Sequence, residues 1–339
     1  MRGLATSDTA ILVTGGAGYV GAHTCKALRN AGYTPVVFDN LSTGHESFVR
    51  WGPLVRGDIR NHAAMLDTIK HYRPKAVLHF AALTSVGESV SEPKDYYDNN
   101  LTGSLSLLNA MLQTECCRTL VFSSSCAVYG EPRELPISET SALSPVNPYG
   151  ASKMMIERAL ADYAQAYGLR SIALRYFNAS GADPDGEVGE LRDPETKLIP
   201  RAMMAIQGHI TDFAVFGTDY DTPDGTPIRD YIHVSDLADA HVLALRRLLA
   251  KQQGGVFNLG TGHGYSVKEV LDTIATETGV RLRATEALRR QGDPAVLVAD
   301  PKRTSTELGF APTLSDLKSI IKTSWAWHQR VHPRAPAPT

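Results

Sequence analysis

Tyr149 and Lys153 are the two residues whose types and spacing first point to chemistry. They stand four positions apart in the stretch Asn147–Lys153, and a helix from Ala151 onward would place them one turn apart on one face. A tyrosine hydroxyl has an ordinary pKa of about 10, but a nearby ammonium and a cationic ring favour its phenolate form. The spacing therefore predicts that Tyr149 takes the proton of an alcohol as a general base. Chance pairing is the alternative, so the chain must also supply a cofactor site and a substrate site.

A glycine-rich turn near the start of the chain predicts the cofactor site. The apolar run Ala10–Thr14 leads directly into GGAGYVG at 15–21, and a helical pattern follows. Gly15, Gly18 and Gly21 would let the backbone turn tightly, approach a pyrophosphate and pack the helix on the strand. The helix N-terminus adds unbonded N–H groups that attract phosphate. Strand, turn and helix together predict a dinucleotide site.

The residue that ends the next strand selects the dinucleotide. Pro35–Phe38 is apolar and is followed by Asp39. A carboxylate in this place accepts hydrogen bonds from the adenosine ribose hydroxyls and repels a 2′-phosphate. We therefore predict NAD rather than NADP; the alternative is a solvated turn aspartate.

Apolar runs and helical stretches alternate through the first half of the chain. Further strands are predicted at Ala76–His79, Thr119–Ser123 and Ile172–Leu174, with helices at Ala63–Lys70 and Leu101–Met111. Such alternation is typical of an α/β fold with a parallel sheet, which binds ligands at the carboxyl ends of its strands.

Two polar residues follow predicted strands and have two interpretations each. Asp58 could accept a hydrogen bond from the adenine amino group or could cap the next helix. Ser125 could present its hydroxyl beside Tyr149 or could satisfy backbone groups at the strand end.

The second half of the chain differs from the first in its residue pattern. Asn178–Pro194 is rich in turn-forming residues and predicts a long loop, after which strands and helices are short. Arg229 and Arg290 are candidates to clamp a pyrophosphate, because a guanidinium matches phosphate oxygens. Most arginines are merely solvated, which is the alternative. The tail Val331–Thr339 contains three prolines and is predicted to be disordered.

Composition excludes several classes of protein. Of the 339 residues 43% are hydrophobic and 21% charged, and the formal net charge is −2, so no basic excess is available for nucleic acid or an anionic membrane. No apolar stretch is long enough for a membrane span. The four cysteines have neither metal-ligand spacing nor the pattern of a disulfide framework, which favours a reducing cytoplasm and predicts no metal.

The motifs in their order along the chain resemble a known family. They are the glycine turn with Tyr19, Asp39-Asn40, Phe80-Ala81, Ser123-Ser124-Ser125, Tyr149 with Lys153, Arg175-Tyr176-Phe177-Asn178 and Arg229-Asp230-Tyr231-Ile232-His233. This combination, from about Ala10 to Trp327, is similar to the extended short-chain dehydrogenase/reductases and, within them, to the UDP-glucose 4-epimerases. The resemblance implies a Rossmann domain at 1–178, with further segments from about 228–262. It also implies a smaller mixed α/β UDP-sugar domain, mainly 179–330, and a flexible tail at 331–339.

The resemblance also implies roles for individual residues. Tyr149 would be the base, Lys153 would lower its pKa and hold the nicotinamide ribose, and Ser125 would bind the sugar hydroxyl. The NAD site would comprise Gly15, Gly18, Tyr19, Val20, Gly21, Asp39, Asn40, Leu41, Ser42, Asp58, Ile59, Phe80, Ala81, Ala82, Asn99 and Phe177. The UDP-sugar site would comprise Asn178, Leu198, Phe216, Arg229, Arg290, Asp293 and Leu297. The predicted helix at Leu101–Met111 and a second at Ala151–Tyr167 would form a homodimer contact.

The implied reaction is reversible C4 epimerisation. No carbonyl group acidifies a sugar C4 proton, so oxidation to a 4-ketone, rotation of the sugar and re-reduction are the expected route. Related dehydratases place acidic residues where this chain has Cys126 and Ala127. Release of NADH as a net oxidoreductase, or binding without catalysis, remain less favoured alternatives.

Three positions depart from well-known members of the family. Leu297 stands at the position that gates the sugar pocket, Lys197 replaces an asparagine, and Thr84 replaces a lysine near the NAD phosphates. The resemblance therefore leaves open whether a UDP-hexose, UDP-xylose/UDP-arabinose or a UDP-N-acetylhexosamine is preferred.

Overall fold

The computed structural model describes residues 9–290 and 292–332. Thirteen strands lie within these residues. In chain order they are β1 Ala10–Thr14, β2 Thr34–Asp39, β3 Leu54–Arg56, β4 Ala76–His79, β5 Thr119–Ser125, β6 Arg170–Tyr176, β7 Asn178–Ser180, β8 Ala214–Phe216, β9 Ile228–His233, β10 Gly255–Leu259, β11 Gly264–Ser266, β12 Thr285–Ala287 and β13 Val296–Leu297.

Eleven α-helices lie in the same part of the chain. They are α1 Tyr19–Asn30, α2 His62–Tyr72, α3 Val86–Ser91, α4 Pro93–Tyr96, α5 Gly103–Gln113, α6 Pro148–Tyr167, α7 Leu198–Ile206, α8 Val234–Leu249, α9 Val267–Thr278, α10 Lys302–Leu308 and α11 Leu317–Val331. Short 3₁₀ turns form at Glu46–Phe48 and Cys126–Val128, and a π-helical turn forms at Tyr97–Thr102.

Seven parallel strands form the large sheet in the order β10-β6-β5-β4-β1-β2-β3. Side chains alternate across it: Ile11 and Val13 pack with α1 and α8 on one face, whereas Leu12 packs with α2, α5 and α6 on the other. The order in which successive strands are added to the sheet reverses between β1 and β4, and such a switch point opens a crevice at the carboxyl edge. The predicted α/β fold with a Rossmann-type sheet is confirmed.

Smaller sheets cover that carboxyl edge. In one of them β9 pairs with β7, β11 and β13, and in the other β8 pairs with β12. Helices α7, α9 and α11 share a third hydrophobic cluster around Met203, Ile274 and Ile320. The chain leaves the large sheet after β6 and returns to it with β10, whereas β9 belongs to the smaller sheet. The predicted division of the chain into two domains stays a prediction.

Several boundaries differ from the sequence-based ones. Helix α6 begins at Pro148 rather than Ala151, because Asn147 caps it by accepting a hydrogen bond from Gly150 N at 2.8 Å. Val331 still belongs to α11, whereas residues 333–339 of the predicted disordered tail lie outside the described residues. Among the helices within 9–290 and 292–332, none has the length and apolar character needed to cross a bilayer.

Candidate active site

One cavity of about 1330 Å³ lies where the carboxyl edge of the large sheet meets the smaller sheets. Most of the predicted site residues line it. They are Gly15, Gly18, Tyr19, Val20, Gly21, Asp39, Asn40, Ser42, Ile59, Phe80, Ala81, Ala82, Asn99, Ser125, Tyr149, Phe177, Asn178, Leu198, Phe216, Arg229, Arg290, Asp293 and Leu297. Leu41, Asp58 and Lys153 are not among the described residues that line it.

The glycine turn has the shape of a phosphate cradle. Gly15 has a φ of +72°, and a Cβ there would lie 2.5 Å from Ala81 N, so the turn packs tightly against the end of β4. A Cβ on Gly21 would lie 2.2 Å from Gly15 O, so only a glycine at this position lets α1 pack this closely against the turn. Gly18 caps α1 without a side chain, and the first-turn N–H groups therefore remain available to an anion. These features fit a dinucleotide pyrophosphate.

Asp39 both faces the cavity and stabilises the cradle. Its carboxylate accepts hydrogen bonds from Ala17 N at 3.0 Å and from Leu41 N at 2.8 Å. Burial raises the pKa of Asp39, and the two N–H donors oppose that shift. An acceptor at the end of β2, beside the cradle, fits the ribose hydroxyls of NAD. Leu41 itself packs against the hydrophobic core.

Asp58 is committed to protein partners. Its carboxylate pairs with Arg60 at 2.7 Å and accepts a hydrogen bond from Asn40 at 3.2 Å. The hydrogen bonds from Arg60 lower the pKa of Asp58 to about 2. The alternative that Asp58 caps the next helix is wrong, because Asn61 is the N-cap of α2 and accepts from Ala64 N at 3.1 Å. A contact of Asp58 with adenine stays a prediction.

Tyr149 and Ser125 meet because α6 packs tightly on the end of β5. A Cβ on Gly150 would lie 2.4 Å from Ala127 O, so only a glycine permits this approach. Ser125 Oγ accepts a hydrogen bond from Ala127 N at 3.2 Å and is also hydrogen-bonded to Tyr149. Both interpretations of Ser125 are therefore realised in one side chain.

The pKa of Tyr149 departs from the sequence-based expectation. Burial raises it to about 12, while the hydrogen bond from Ser125 and the charge of Arg192 act in the opposite direction. Desolvation of the phenolate is thus the largest effect on this pKa. The role of Lys153 in lowering the Tyr149 pKa stays a prediction.

Lys153 is buried beneath the cavity. Its ammonium donates to the carbonyl oxygen of Ser123 at 2.7 Å and lies 5.8 Å from the centre of the Tyr149 ring. Burial lowers the pKa of Lys153 to about 7, and the charge of Glu157 raises it.

Sequence reasoning missed the ion pair that stands behind Lys153. Glu157 accepts from Arg175 Nη2 at 2.6 Å and from Ser124 Oγ at 2.5 Å, and both charged side chains are buried. Arg175 also donates to Tyr129 Oη at 2.8 Å. The available signal was Glu157 itself, which stands four residues after Lys153 on the same face of α6.

Arg229 and Asp293 form a pair on the substrate side of the cavity. Arg229 Nη2 lies 2.5 Å from Asp293 Oδ1 and 2.7 Å from Pro294 O, and the arginine is buried. Arg290 lies on the ring face of Phe216, with its guanidinium carbon 4.4 Å from the ring centre. The charge of Arg290, which lines the cavity, thus remains available to a ligand. The carboxylate of Asp293 already compensates much of the Arg229 charge.

The remaining predicted residues come from separate elements. Asn99 lies in the π-helical turn, a distortion that is frequent at functional sites. Asn178 begins β7, and Leu198 begins α7. Leu297, in β13, packs against a cluster that includes Cys126 and is partly buried.

Three cationic residues of the cavity, Arg192, Lys197 and Arg201, were not assigned to the site from the sequence. Lys197 pairs with the buried Glu190 and lies 5.1 Å from the centre of the Tyr19 ring. Arg192 stands in a loop without periodicity, so no sequence signal marks it.

Comparisons with known proteins agree with this architecture. The family model described as the NAD dependent epimerase/dehydratase family matches residues 11–260. A UDP-glucose 4-epimerase of Rhizobium leguminosarum bv. trifolii is 50% identical over 320 residues, which is 94% of this chain and 97% of that protein.

Solved structures agree as well. The crystal structure of a UDP-glucose 4-epimerase from Brucella ovis in complex with NAD is 54% identical with a TM-score of 0.91, and the match covers 94% of this chain and 98% of that one. The Stenotrophomonas maltophilia UDP-glucose 4-epimerase, with bound NAD and formylated UDP-arabinopyranose, is 40% identical with a TM-score of 0.92, and the match covers 96% and 100%. The glycine cradle and Tyr149 face one cavity, Lys153 is buried beneath it, and by these matches the chain belongs to the NAD-dependent epimerase/dehydratase family.

Proposed function

We propose that this protein interconverts UDP-glucose and UDP-galactose by NAD-dependent epimerisation at C4. The predicted class of activity, the NAD cofactor and the resemblance to the UDP-glucose 4-epimerases are confirmed by the relatives described above. The choice of hexose rests on the names of those relatives. The assignment of individual residues rests on the geometry of the cavity.

The observation that carries the proposal is the position of Tyr149. Its hydroxyl faces the cavity beside Ser125, and the cavity also contains the glycine cradle. Tyr149 removes the proton of the sugar 4-hydroxyl, and Ser125 shares a hydrogen bond with the reacting oxygen. NAD bound in the cradle would supply the acceptor and donor of the C4 hydride, and its cationic ring would favour tyrosinate.

Rotation of the 4-keto sugar within the cavity explains how the configuration at C4 changes. Once C4 is a ketone it keeps no memory of its configuration, so a sugar that turns about its bond to the pyrophosphate is reduced on the other face. Arg290 and Phe216 lie on the substrate side of the cavity, where they can hold the nucleotide while the hexose turns. Tyr149 then returns the proton to the same oxygen.

Elimination of water is disfavoured by the residues after Ser125. Cys126 is buried, and burial raises the pKa of its thiol to about 12. Ala127 has no acidic proton. The positions at which a dehydratase needs an acid and a base therefore hold neither.

The test is incubation of the purified protein with UDP-galactose, UDP-N-acetylgalactosamine and UDP-xylose in separate reactions without added NAD. We expect conversion of UDP-galactose to UDP-glucose with retained cofactor, and none with Tyr149→Phe. Unchanged sugars in every reaction, even after NAD is supplied, would overturn the proposal.

A UDP-pentose is the second candidate substrate. The Stenotrophomonas structure holds a formylated UDP-arabinopyranose, and its fold matches 96% of this chain. Leu297 lines the cavity and narrows it less than a tyrosine would. Faster turnover of UDP-xylose than of UDP-galactose would favour this candidate.

We also propose a homodimer formed by α5 and α6. Met155 and Tyr167 on α6 are exposed hydrophobic side chains, and Tyr163 donates to Asn109 of α5 at 2.8 Å, which joins the two helices into one surface. Light scattering after gel filtration should give twice the 36.7 kDa chain mass, and Met155→Glu should shift it towards the monomer.

A further inference from the structure

The cations that line the cavity differ in how much of their charge the protein already compensates. Lys197 pairs with Glu190, Arg201 lies 3.4 Å from Asp212, and Arg229 lies 2.5 Å from Asp293. Among the residues that the structure describes, Arg290 has no such pair, and it lies on the ring face of Phe216.

Arg192 is different from all of these. Within residues 9–290 and 292–332 its guanidinium has no ion pair and no hydrogen bond, although it lines the cavity and is only partly exposed. A partly desolvated and uncompensated cation attracts an anion more strongly than a cation that a carboxylate already neutralises.

The backbone around Arg192 is held on both sides. Trp327 Nε1 donates to Glu190 O at 2.8 Å, and His45 Nε2 lies 3.0 Å from Leu191 O. Beyond Arg192, the carboxylate of Glu195 accepts from Thr196 N at 2.8 Å. The loop that presents the guanidinium is therefore anchored, which lowers the entropic cost of using it for binding.

The position of Arg192 indicates which part of a ligand it meets. Arg192 lines the same cavity as Tyr149, and its charge acts on the Tyr149 phenol, so the guanidinium can reach the phosphate of a ligand whose sugar lies beside Tyr149. In a nucleotide sugar the phosphate closest to the reacting end is the one that bears the sugar. That phosphate carries a negative charge that Arg229, already paired with Asp293, does not fully neutralise.

We propose that Arg192 is a further substrate-binding residue, which binds the sugar-bearing phosphate of the nucleotide sugar. The inference rests on the proposed function, since it assumes a nucleoside diphosphate sugar in this cavity. Arg192 and Arg290 would then contribute the two uncompensated charges that match the two phosphates.

Nucleotides that differ by one phosphate provide the test. UDP retains the phosphate that bears the sugar in the substrate, whereas UMP lacks it. Calorimetric titration of the NAD-loaded enzyme should show Arg192→Gln weakening UDP binding by about tenfold or more, which is typical of a lost hydrogen bond between charged groups, with UMP binding changed less than about twofold. Arg192→Lys, which keeps the charge, should restore most of the UDP affinity.

The control is Arg281→Gln, which removes an exposed arginine that lies 3.5 Å from Asp272, away from the cavity. It should change neither affinity. Equal weakening of UDP and UMP by Arg192→Gln, or unchanged binding of both, would overturn the inference. If the wild type binds UDP with this selectivity but converts no UDP-sugar, the proposed function fails while the role of Arg192 in phosphate binding stands.

Discussion

The ammonium of Lys153 lies 2.7 Å from the carbonyl oxygen of Ser123 and donates a hydrogen bond to it. This contact ties the first turns of α6 to the end of β5, so the helix that carries Tyr149 and the strand that carries Ser125 hold a fixed relation to each other. A buried cation also lies 5.8 Å from the Tyr149 ring centre. Lys153 thus holds α6 against the end of β5 from beneath the cavity.

Removal of the Tyr149 hydroxyl should abolish turnover while binding remains. Tyr149→Phe keeps the ring that packs at the start of α6 but removes the group that exchanges the proton, so kcat should fall by about 10²–10⁴-fold. Steady-state kinetics with UDP-galactose measure this loss, and titration with UDP should show unchanged affinity. A Tyr149→Phe enzyme with more than about a tenth of the wild-type kcat would contradict the role given to this residue.

Asp39 should control the preference for NAD over NADP. Asp39→Asn removes the charge that repels a 2′-phosphate and weakens one of the hydrogen bonds to Ala17 N and Leu41 N, so the preference for NAD over NADP should fall by about tenfold. Cofactor released on denaturation, together with titration of each dinucleotide, checks this. Asp272→Asn on the exposed surface should keep the wild-type preference. An unchanged ratio in Asp39→Asn would show that other groups discriminate the cofactors.

The buried pair of Glu157 and Arg175 should be costly to break. Glu157→Gln leaves the guanidinium of Arg175 buried without a carboxylate, which should lower the free energy of unfolding by about 3–5 kcal/mol. Asp162→Asn breaks the exposed pair with Arg158 and should cost under about 1 kcal/mol. Urea denaturation of both variants at pH 7.5 gives the comparison, and equal effects would contradict the importance of burial.

Acid should destabilise the fold before its carboxylates titrate. Burial lowers the pKa values of His23, His233 and His241 to about 4 and that of His79 to about 3, against an ordinary value near 6.5. Below pH 6.5 the unfolded chain binds more protons than the folded one, so stability falls as the pH drops from about 6.5 towards 4.

The size of this effect can be measured residue by residue. Each buried histidine should contribute a loss on the order of 1–2 kcal/mol between pH 7.5 and 5. His241→Gln should therefore reduce the pH dependence of the unfolding free energy by about that amount. Identical slopes in wild type and His241→Gln would refute this account.

Leu297 should influence which sugars are accepted. It lines the cavity and packs next to Cys126, so Leu297→Ala enlarges the space beside the reacting end and Leu297→Tyr reduces it. We expect the ratio of kcat/KM for UDP-N-acetylgalactosamine over UDP-galactose to rise about tenfold or more in Leu297→Ala and to fall in Leu297→Tyr. Parallel changes for both sugars would mean that Leu297 affects packing rather than selectivity.

Local patterns were sufficient to predict much of the fold. The strand at Ala76–His79 has the bounds read from the sequence, because an unbroken apolar run depends only on neighbouring residues. The start of α6 was predicted three residues late, because a proline in the first turn and an asparagine cap extend the helix towards its N-terminus. The glycine turn could be predicted from the sequence because a side chain at Gly15 or Gly21 would clash with the backbone.

The set of elements, the family and the polar residues at the strand ends could thus be read from the sequence alone. How these residues share their charges depends on the packing of the folded chain. Within residues 9–290 and 292–332, Glu157 lies behind Lys153, Asp293 pairs with Arg229 and Arg192 has no ion pair, and these arrangements arise only after distant segments pack or a helix buries one face. The raised pKa of Tyr149 has the same origin, because desolvation depends on everything packed around the phenol and is not written in any one stretch of the chain.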